Sequence, residues 1–515
     1  MYTAGEQPQP LLVMAAFPPV HTWQALPEMW PYLAATHGTL IAVEEPHRKP
    51  AVTCTYTQLA QDIRQFAAGL SHLGLNPGEH IALFADNSSR WLVADQGTML
   101  AGLVNVVRGT QAPPAELDYI YRHSESVALI AEDQATLRTL QPYLKDWSLR
   151  AIILLFGDEL DTVLEVPAPV LILEQVMRMG ETATWTPPTL GRADLATLLY
   201  TSGTTGRPKG VMLSHGNLLH QVENLHVVLT PQPGYVALSL LPTWHTYERS
   251  SEYYLFSRGI RQVYTNLRSF KQDLKRYQPH HIVGVPRLWE SIYEGIEREL
   301  RQQPAGRQKL INFLLSQSRR HILARRQWQG TALAPGSRLP AGVQLLLTWP
   351  FQALADRLIY GKVRQAVGGR LCEGASGGGA LSRHLDDFYE MAGVAIVVGY
   401  GLTETSPVLT ARRVKPNIRY TAGRPIPGTE IRIVDPETRQ TLPTGQKGLV
   451  LARGPQIMLG YYRNPEATAK VLDPEGWFDT GDLGWLTPRQ DLVLTGRAKD
   501  TIVLTSGENI EPQPI

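Results

Sequence analysis

Cysteine is nearly missing from this chain: Cys54 and Cys372 are the two among 515 residues. Neither lies in a CxxC or CxxH spacing, so a disulfide scaffold and a zinc site are both unsupported, and a reducing compartment is expected. Lysine and arginine are absent ahead of Arg48. That leaves neither the basic n-region of a secretory signal nor the Arg-rich texture of a transit peptide. Long apolar runs are lacking too. "LLVMAAF" at 11–17 halts at Pro18-Pro19, and no other run reaches the roughly 20 residues that a membrane helix requires. Internal repeats and low-complexity tracts are also absent. The expected location is cytoplasmic, with contact at a membrane surface as an addition considered below.

What is present is the composition of a globular enzyme, 43% hydrophobic and 19% charged, which argues against disorder. The length predicts about three domains, or one large α/β body with an appendage. In "YTQLAQDIRQFAAGLSHLGL", Leu59, Ile63, Phe66, Leu70 and Leu73 fall at helical spacing, with Thr57 as the expected N-cap and Gly74 as the stop. "HIALFAD" at 80–86 reads as a buried strand, and "VALIAE", "RAIILLF", "HHIVGV" and "VAIVVGY" continue the pattern to about residue 400. Such alternation predicts largely parallel sheets covered by helices. After about residue 411, "TEIRIVD", "KGLVLAR", "DLVLTG" and "TIVLT" are short strands parted by Gly/Pro turns, which predicts a small β-barrel or β-rich unit. The expected organisation is two α/β subdomains, 1–195 and 196–410, then a β-rich unit over 411–497 and a short terminal piece, 498–515. "TWTPPTLGRAD" at 184–194 is a candidate linker.

"YTSGTTGRPKG" at 200–210 follows the strand candidate "LATLLY". Gly203, Gly206 and Gly210 permit φ > 0 and let backbone N–H groups converge. The hydroxyls of Thr201, Ser202, Thr204 and Thr205 are placed to donate to phosphate oxygens, and Lys209 to neutralise charge at the β/γ end. Taken alone, the stretch also fits a solvated turn. It is not a Walker A loop, because Arg207-Pro208 precede Lys209 and Gly210 follows it. A P-loop mechanism is therefore disfavoured.

Five further segments follow in order: "SGGGAL" (376–381), "GYGLTETSP" (399–407), "GYY" (460–462), "GWFDTGDLG" (476–484) and "GRAKDTIVLTSGENI" (496–510). With the loop, they resemble the signatures of the acyl-adenylate-forming superfamily, which contains acyl-CoA synthetases, luciferases and the adenylation domains of peptide synthetases. One departure is Gly379-Ala380, where the family has Ala-Pro. The resemblance spans nearly the whole chain. It implies the large N-terminal domain of that fold, with two packed α/β sheet subdomains and a β-barrel-like subdomain, and it implies ATP and Mg²⁺ as cofactors.

The resemblance implies the following roles for the matched positions. Lys209 and the loop from Thr201 through Ser202, Gly203, Thr204 and Thr205 to Gly206 hold the phosphates. Glu404 holds Mg²⁺, a hard carboxylate ligand for a hard cation, with Thr403 beside it; a helix cap is the plain alternative for both. Tyr400, between Gly399 and Gly401, stacks on adenine or is a core tyrosine. Gly378, Gly379 and Ala380 let the backbone approach adenine and the reacting carboxyl carbon. Asp482 accepts from both ribose hydroxyls or is a turn aspartate, and Arg497 is a second ribose or phosphate contact. His245, in "LPTWHTYERS", lines the site near the substrate carboxylate or is simply structural. The implied reaction has two halves. A carboxylate attacks the α-phosphate of ATP and pyrophosphate leaves; a thiol then attacks the acyl-adenylate and AMP leaves. Positioning and charge stabilisation carry the first half.

"VGVPRLWESIY", "LPTWHTYERSSEYY" and an insertion at about 300–370 resemble the long-chain fatty acid branch. "VNVVRGTQAPPAELDYIYRHSES" at 104–126 is most similar to cyanobacterial and plastid-type acyl-[acyl-carrier-protein] synthetases, which implies acyl carrier protein as the thiol acceptor. Coenzyme A is the alternative, luciferase-like oxidation is a remoter one, and a binding protein without turnover is the non-enzymatic one. Residues 301–370 hold twelve Lys and Arg against one acid, Asp356, a local +11 within a chain of net +2. That excess suits an acidic carrier docking on Arg319, Arg320, Arg325 and Arg326, or an anionic membrane, or a plain solvated surface. No aromatic stacking platform accompanies it, so nucleic acid is not expected.

In this superfamily a C-terminal lid supplies a lysine that bridges carboxylate and α-phosphate. No lysine follows Lys499, and Lys499 and Asp500 fall at the family's hinge. The chain is thus expected to be a fragment without most of the lid, which binds ATP but forms adenylate slowly. Pyrophosphate release by this chain, set beside that of a lid-bearing version, measures this; equal rates would remove the lid from the chemistry.

Overall fold

The computed structural model describes residues 22–157, 166–201, 207–334 and 336–498, together with the paired strands Ile502–Val503 and Asn509–Ile510. The helix Tyr56–His72 shows how local sequence sets an element. Leu59, Ile63, Phe66 and Leu70 are fully buried along one side, and Gly74 beyond its end has φ +76°. Its cap is Thr55, not Thr57. Thr55 has extended backbone, so its hydroxyl accepts from the Gln58 N–H while the Gln58 side chain accepts from the Thr55 N–H.

Among the described residues the strands form two large sheets, a four-stranded one and the two-stranded pair already named. The eight-stranded sheet runs in the order Gly460–Tyr461, Lys209–Ser214, Leu195–Thr201, Val104–Arg108, His80–Phe84, Ala128–Ala131, Ala151–Leu154 and Val170–Ile172. The nine-stranded sheet has His281–Gly284, Glu373–Ser376 and Ile396–Gly401 side by side and parallel. Strands such as Ala128–Ala131 and Ala151–Leu154 are apolar over their whole length, as expected where helices cover both faces. The β-rich unit is a four-stranded antiparallel sheet of Glu430–Val434, Gly448–Arg453, Phe478–Leu486 and Leu492–Arg497.

The chain crosses between sheets more than the boundary expected at residue 195 allows. Ile41–Glu45 and Val52–Thr55 complete the nine-stranded sheet, while Leu195–Thr201 and Lys209–Ser214 belong to the eight-stranded one. A buried ion pair lies where the halves meet. Arg249, on the helix Thr246–Phe256, reaches Asp95 on Ser89–Leu100 and donates to Thr197 Oγ1 at 2.8 Å. Tyr253 also bonds Asp95, so both charges are satisfied inside the protein.

Beside it, Ser239 Oγ lies 2.8 Å from Glu248 and 2.6 Å from Glu252, all three buried. A serine has one proton to give, so one of the two carboxyls must bring its own. Burial, then the neighbouring Glu252, raises the Glu248 pKa; burial raises that of Glu252 to about 7. The native state therefore keeps a proton that the unfolded chain releases above its ordinary carboxylate pKa. Stability from this cluster is present at acid pH and lost as pH rises towards 7. Glu248→Gln carries that proton permanently. Its melting temperature relative to the wild type should increase steadily from pH 5 to pH 8, by scanning calorimetry; a pH-independent difference would refute the shared proton.

Candidate active site

Parallel strands end together, and their carboxyl ends gather loops. Gly284, Ser376 and Val398 are in register across three neighbouring strands, so the segments after them share one edge of the sheet, the usual position of a ligand crevice. Gly378 lies there with φ +72°, beside Val285, and Gly379 faces Pro286. A Cβ on Gly377 would sit 2.8 Å from the Tyr247 ring, whose hydroxyl donates to the Gly284 carbonyl at 3.3 Å. Ala380 follows these glycines before the helix Arg383–Met391.

The segment after Ile396–Gly401 doubles back sharply. A Cβ on Gly401 would lie 1.8 Å from the Pro407 carbonyl oxygen, so no other residue fits. Thr403–Thr405 form a single 3₁₀ turn held by Thr405, whose hydroxyl accepts from the Leu402 N–H at 2.9 Å. Glu404 projects from this turn, half-buried.

Glu404 and Lys209 come from different sheets, and Tyr461 joins them. The Tyr461 hydroxyl donates to Glu404 Oε1 at 2.9 Å, and Lys209 Nζ lies 4.9 Å from the centre of the same ring. The backbone repeats the link: Met458 N–H donates to the Glu404 carbonyl, Leu459 to Met212 and Tyr462 to Gly210. Burial, then the Glu404 charge, raises the Tyr461 pKa, so the phenol stays protonated and keeps donating. Lys209 faces Thr201 across the antiparallel pair that carries the glycine-rich loop. Ser202, Gly203, Thr204, Thr205 and Gly206 lie outside the described residues, as do Lys499 and Asp500.

A second pair of motifs meets at Asp482. Its carboxylate is buried, accepts from the Tyr400 hydroxyl, and faces the Arg497 guanidinium at 3.2 Å. Asp482 and Arg497 are direct cross-strand partners. Burial raises the Asp482 pKa, while Tyr400 and Arg497 pull the other way. Tyr400 is 9% exposed. With its hydroxyl on Asp482 and its ring packed in the core, it orients the carboxylate, which limits the stacking on adenine that the sequence suggests. Gly399 precedes it, half-buried on the same strand.

His245 stands at the N-terminus of Thr246–Phe256 with its ring 4.0 Å from that of Trp244. One side is open to solvent, yet the protein crowding its other side, then the Arg108 cation, lowers its pKa to about 4. At neutral pH it offers a hydrogen bond rather than a charge. Arg108 lies over the Trp244 ring at 4.7 Å, and a Cβ on Gly109 would strike that indole at 2.3 Å.

Among the described residues no three acidic, histidine or cysteine side chains converge as a metal cage. A magnesium site would need fewer protein ligands than such a cage, since one or two carboxylates suffice when phosphate oxygens and water complete the shell. Glu404 is a half-buried carboxylate held in place by the Tyr461 hydroxyl.

The expected docking arginines require a correction. Arg326 is 4% exposed and bonds Asp387 at 2.6 Å and Glu390 at 2.5 Å. Arg325 donates to Glu390 at 2.9 Å. Both anchor their helix to Arg383–Met391; Arg326 is not available to a partner, and Arg325, its side chain 37% exposed, is tied to Glu390. Arg319 and Arg320 are exposed, with Arg319 3.5 Å from Asp387.

A model for the family described as AMP-binding enzyme matches residues 32–462. The chain belongs to the AMP-binding enzymes. It is 44% identical, over 96% of its length and 72% of the other protein, to the chloroplastic long-chain-fatty-acid--[acyl-carrier-protein] ligase AEE15 of Arabidopsis thaliana. It is 31% identical, over 90% of its length and 72% of the other, to the long-chain-fatty-acid--CoA ligase FadD15 of Mycobacterium tuberculosis. ATP-bound MatB from Rhodopseudomonas palustris superposes with a TM-score of 0.69 at 23% identity, over 94% of this chain and 81% of that one. Likeness at that identity concerns the fold, and it is the adenylate-forming α/β fold. Tyr461, Trp244 and Arg108 contact the motif residues Lys209, Glu404 and His245 or one another, and the sequence assigns them no role. The quoted "GYY" and "LPTWHTYERS" contain the first two, but only the contact geometry separates them from core aromatics.

Tyr461→Phe keeps the ring beneath Lys209 and removes the bond to Glu404. Hydrogen bonds to charged groups contribute about 1.5–3 kcal/mol, so kcat/KM for ATP should fall roughly tenfold or more, with the melting temperature little changed. Steady-state pyrophosphate release alongside calorimetry checks this; a lowered melting temperature with kcat/KM unchanged would make the Tyr461–Glu404 bond a structural one only.

Proposed function

We propose that the chain activates a long-chain fatty acid by adenylation and passes the acyl group to the phosphopantetheine thiol of an acyl carrier protein. The observation that carries the reading is the pairing of Lys209 and Glu404 through one tyrosine, near the strand edge where the glycine-rich loop begins. A cation and a metal-binding anion fixed side by side suit a magnesium–triphosphate, whose charge is itself mixed. In the first half, a carboxylate oxygen bonds to the α-phosphorus as the bond to pyrophosphate breaks. Lys209 steadies the departing phosphates, and Asp482 with Arg497 holds the ribose. In the second half the thiolate sulfur attacks the acyl carbon and AMP leaves with the former carboxylate oxygen. His245, neutral at pH 7, orients the carboxylate by hydrogen bonding without competing for it electrostatically. When bound, magnesium supplies charge neutralisation on the phosphate oxygens, with Glu404 as its protein ligand.

The relative at 44% identity bears a carrier-protein ligase's name and the one at 31% a CoA ligase's, which supports the carrier as acceptor. Full-length protein should catalyse exchange of labelled pyrophosphate into ATP only when a long-chain fatty acid is present. Offered both thiols together, it should load carrier protein. No exchange would refute adenylation; preferential acyl-CoA formation would leave adenylation standing and replace the acceptor.

A further inference from the structure

Two helices of the basic insertion, Ala305–Gln329 and Arg338–Ala355, form an antiparallel pair on the outside of the protein. The second is built inside out. Its buried residues are Ala341, Thr348 and Ala355, spaced seven apart. Thr348 Oγ1 meets His321 Nδ1 of the first helix at 3.0 Å. The opposite side carries Leu339, Val343, Leu346, Leu347 and Leu354, and Leu339, Leu346 and Leu347 are 81%, 78% and 68% exposed. These positions lie on one helical face, a stripe about 24 Å long at 1.5 Å per residue. Trp349 stands at its margin, 65% exposed. A soluble surface does not ordinarily hold so long an apolar stripe in water.

Charge selects the occupant. Arg338 begins the helix and Arg357 lies just past its end, both exposed, with Arg307, Lys309 and Arg320 exposed on the neighbouring helix. The single acid of the insertion, Asp356, is bonded to Arg364 at 2.7 Å. A second copy of this face would bring a like charge against it, so self-association is opposed. An acidic carrier protein would satisfy the cations but leave the leucines without an apolar partner. An anionic bilayer satisfies both, with leucines and tryptophan at the headgroup–acyl boundary and arginines on phosphates. None of the described helices is long and apolar enough to cross a membrane, so the contact is with one leaflet.

We propose that the 305–355 helix pair seats this protein on an anionic lipid surface through the Leu339–Leu354 stripe. The proposal does not depend on which thiol accepts the acyl group.

Sedimentation with phosphatidylcholine vesicles, with and without phosphatidylglycerol, tests it. Wild-type protein should pellet with the anionic vesicles, less so as salt is raised, and remain largely free with phosphatidylcholine alone. Each cation near an anionic surface contributes about fivefold in affinity, so Arg338→Gln with Arg357→Gln should weaken partition roughly 25-fold. Leu346→Ser with Leu347→Ser should weaken it more than tenfold by withdrawing apolar burial. All four side chains are exposed, so unchanged melting temperatures separate these losses from misfolding. Wild type remaining in the supernatant, or the leucine variant partitioning like wild type, would overturn the proposal. So would a leucine variant that turns a dimer into monomer, or loses carrier-protein affinity, while its vesicle binding is unchanged.

Discussion

The site depends on one tyrosine that shares a sheet with the lysine it faces and reaches a carboxylate from the other sheet. Lys209 starts a strand of the eight-stranded sheet and Glu404 leaves the nine-stranded one. Opposite charges on two such bodies would ordinarily meet directly or drift apart in solvent. Tyr461 prevents both: its ring face attracts the ammonium and its hydroxyl binds the carboxylate. Both charges are thus fixed in position against a single ring.

The same economy recurs at Asp482. Arg497 reaches it across a ladder and Tyr400 from the end of another sheet. One carboxylate thus reports the relative position of two structural units. Behind these two stations, the buried Arg249–Asp95 pair fixes the helix that presents His245. Burying both charges is costly unless every donor and acceptor is met, and here Tyr253 and Thr197 supply the remaining bonds.

How far the sequence revealed this differs by feature. Strand cores such as 80–84 and 396–401 were legible because continuous apolar runs have few alternatives in an α/β chain. Lys209, Glu404, Asp482 and Arg497 were legible through their motifs, and the fold brings them into two clusters. Tyr461 and Trp244 were not, because aromatic residues look alike whether they pack or bridge. The cap at Thr55 was missed by two residues, since Thr55 and Thr57 both precede the apolar pattern and only backbone angle tells them apart. Arg326 resembled its exposed neighbours because its acidic partners, Asp387 and Glu390, lie some sixty residues away. Strand exchange across residue 195 was invisible for a similar reason: pairing is a tertiary choice that a linear boundary cannot encode.

Arg497 is the last residue of its strand and also the rung opposite Asp482. Tension applied to the polypeptide just downstream is therefore transmitted to the buried Asp482 carboxylate through a single cross-strand step. A pull at that point would shift the Asp482 carboxylate and, with it, the Tyr400 hydroxyl that bonds it, with no messenger other than the ladder itself.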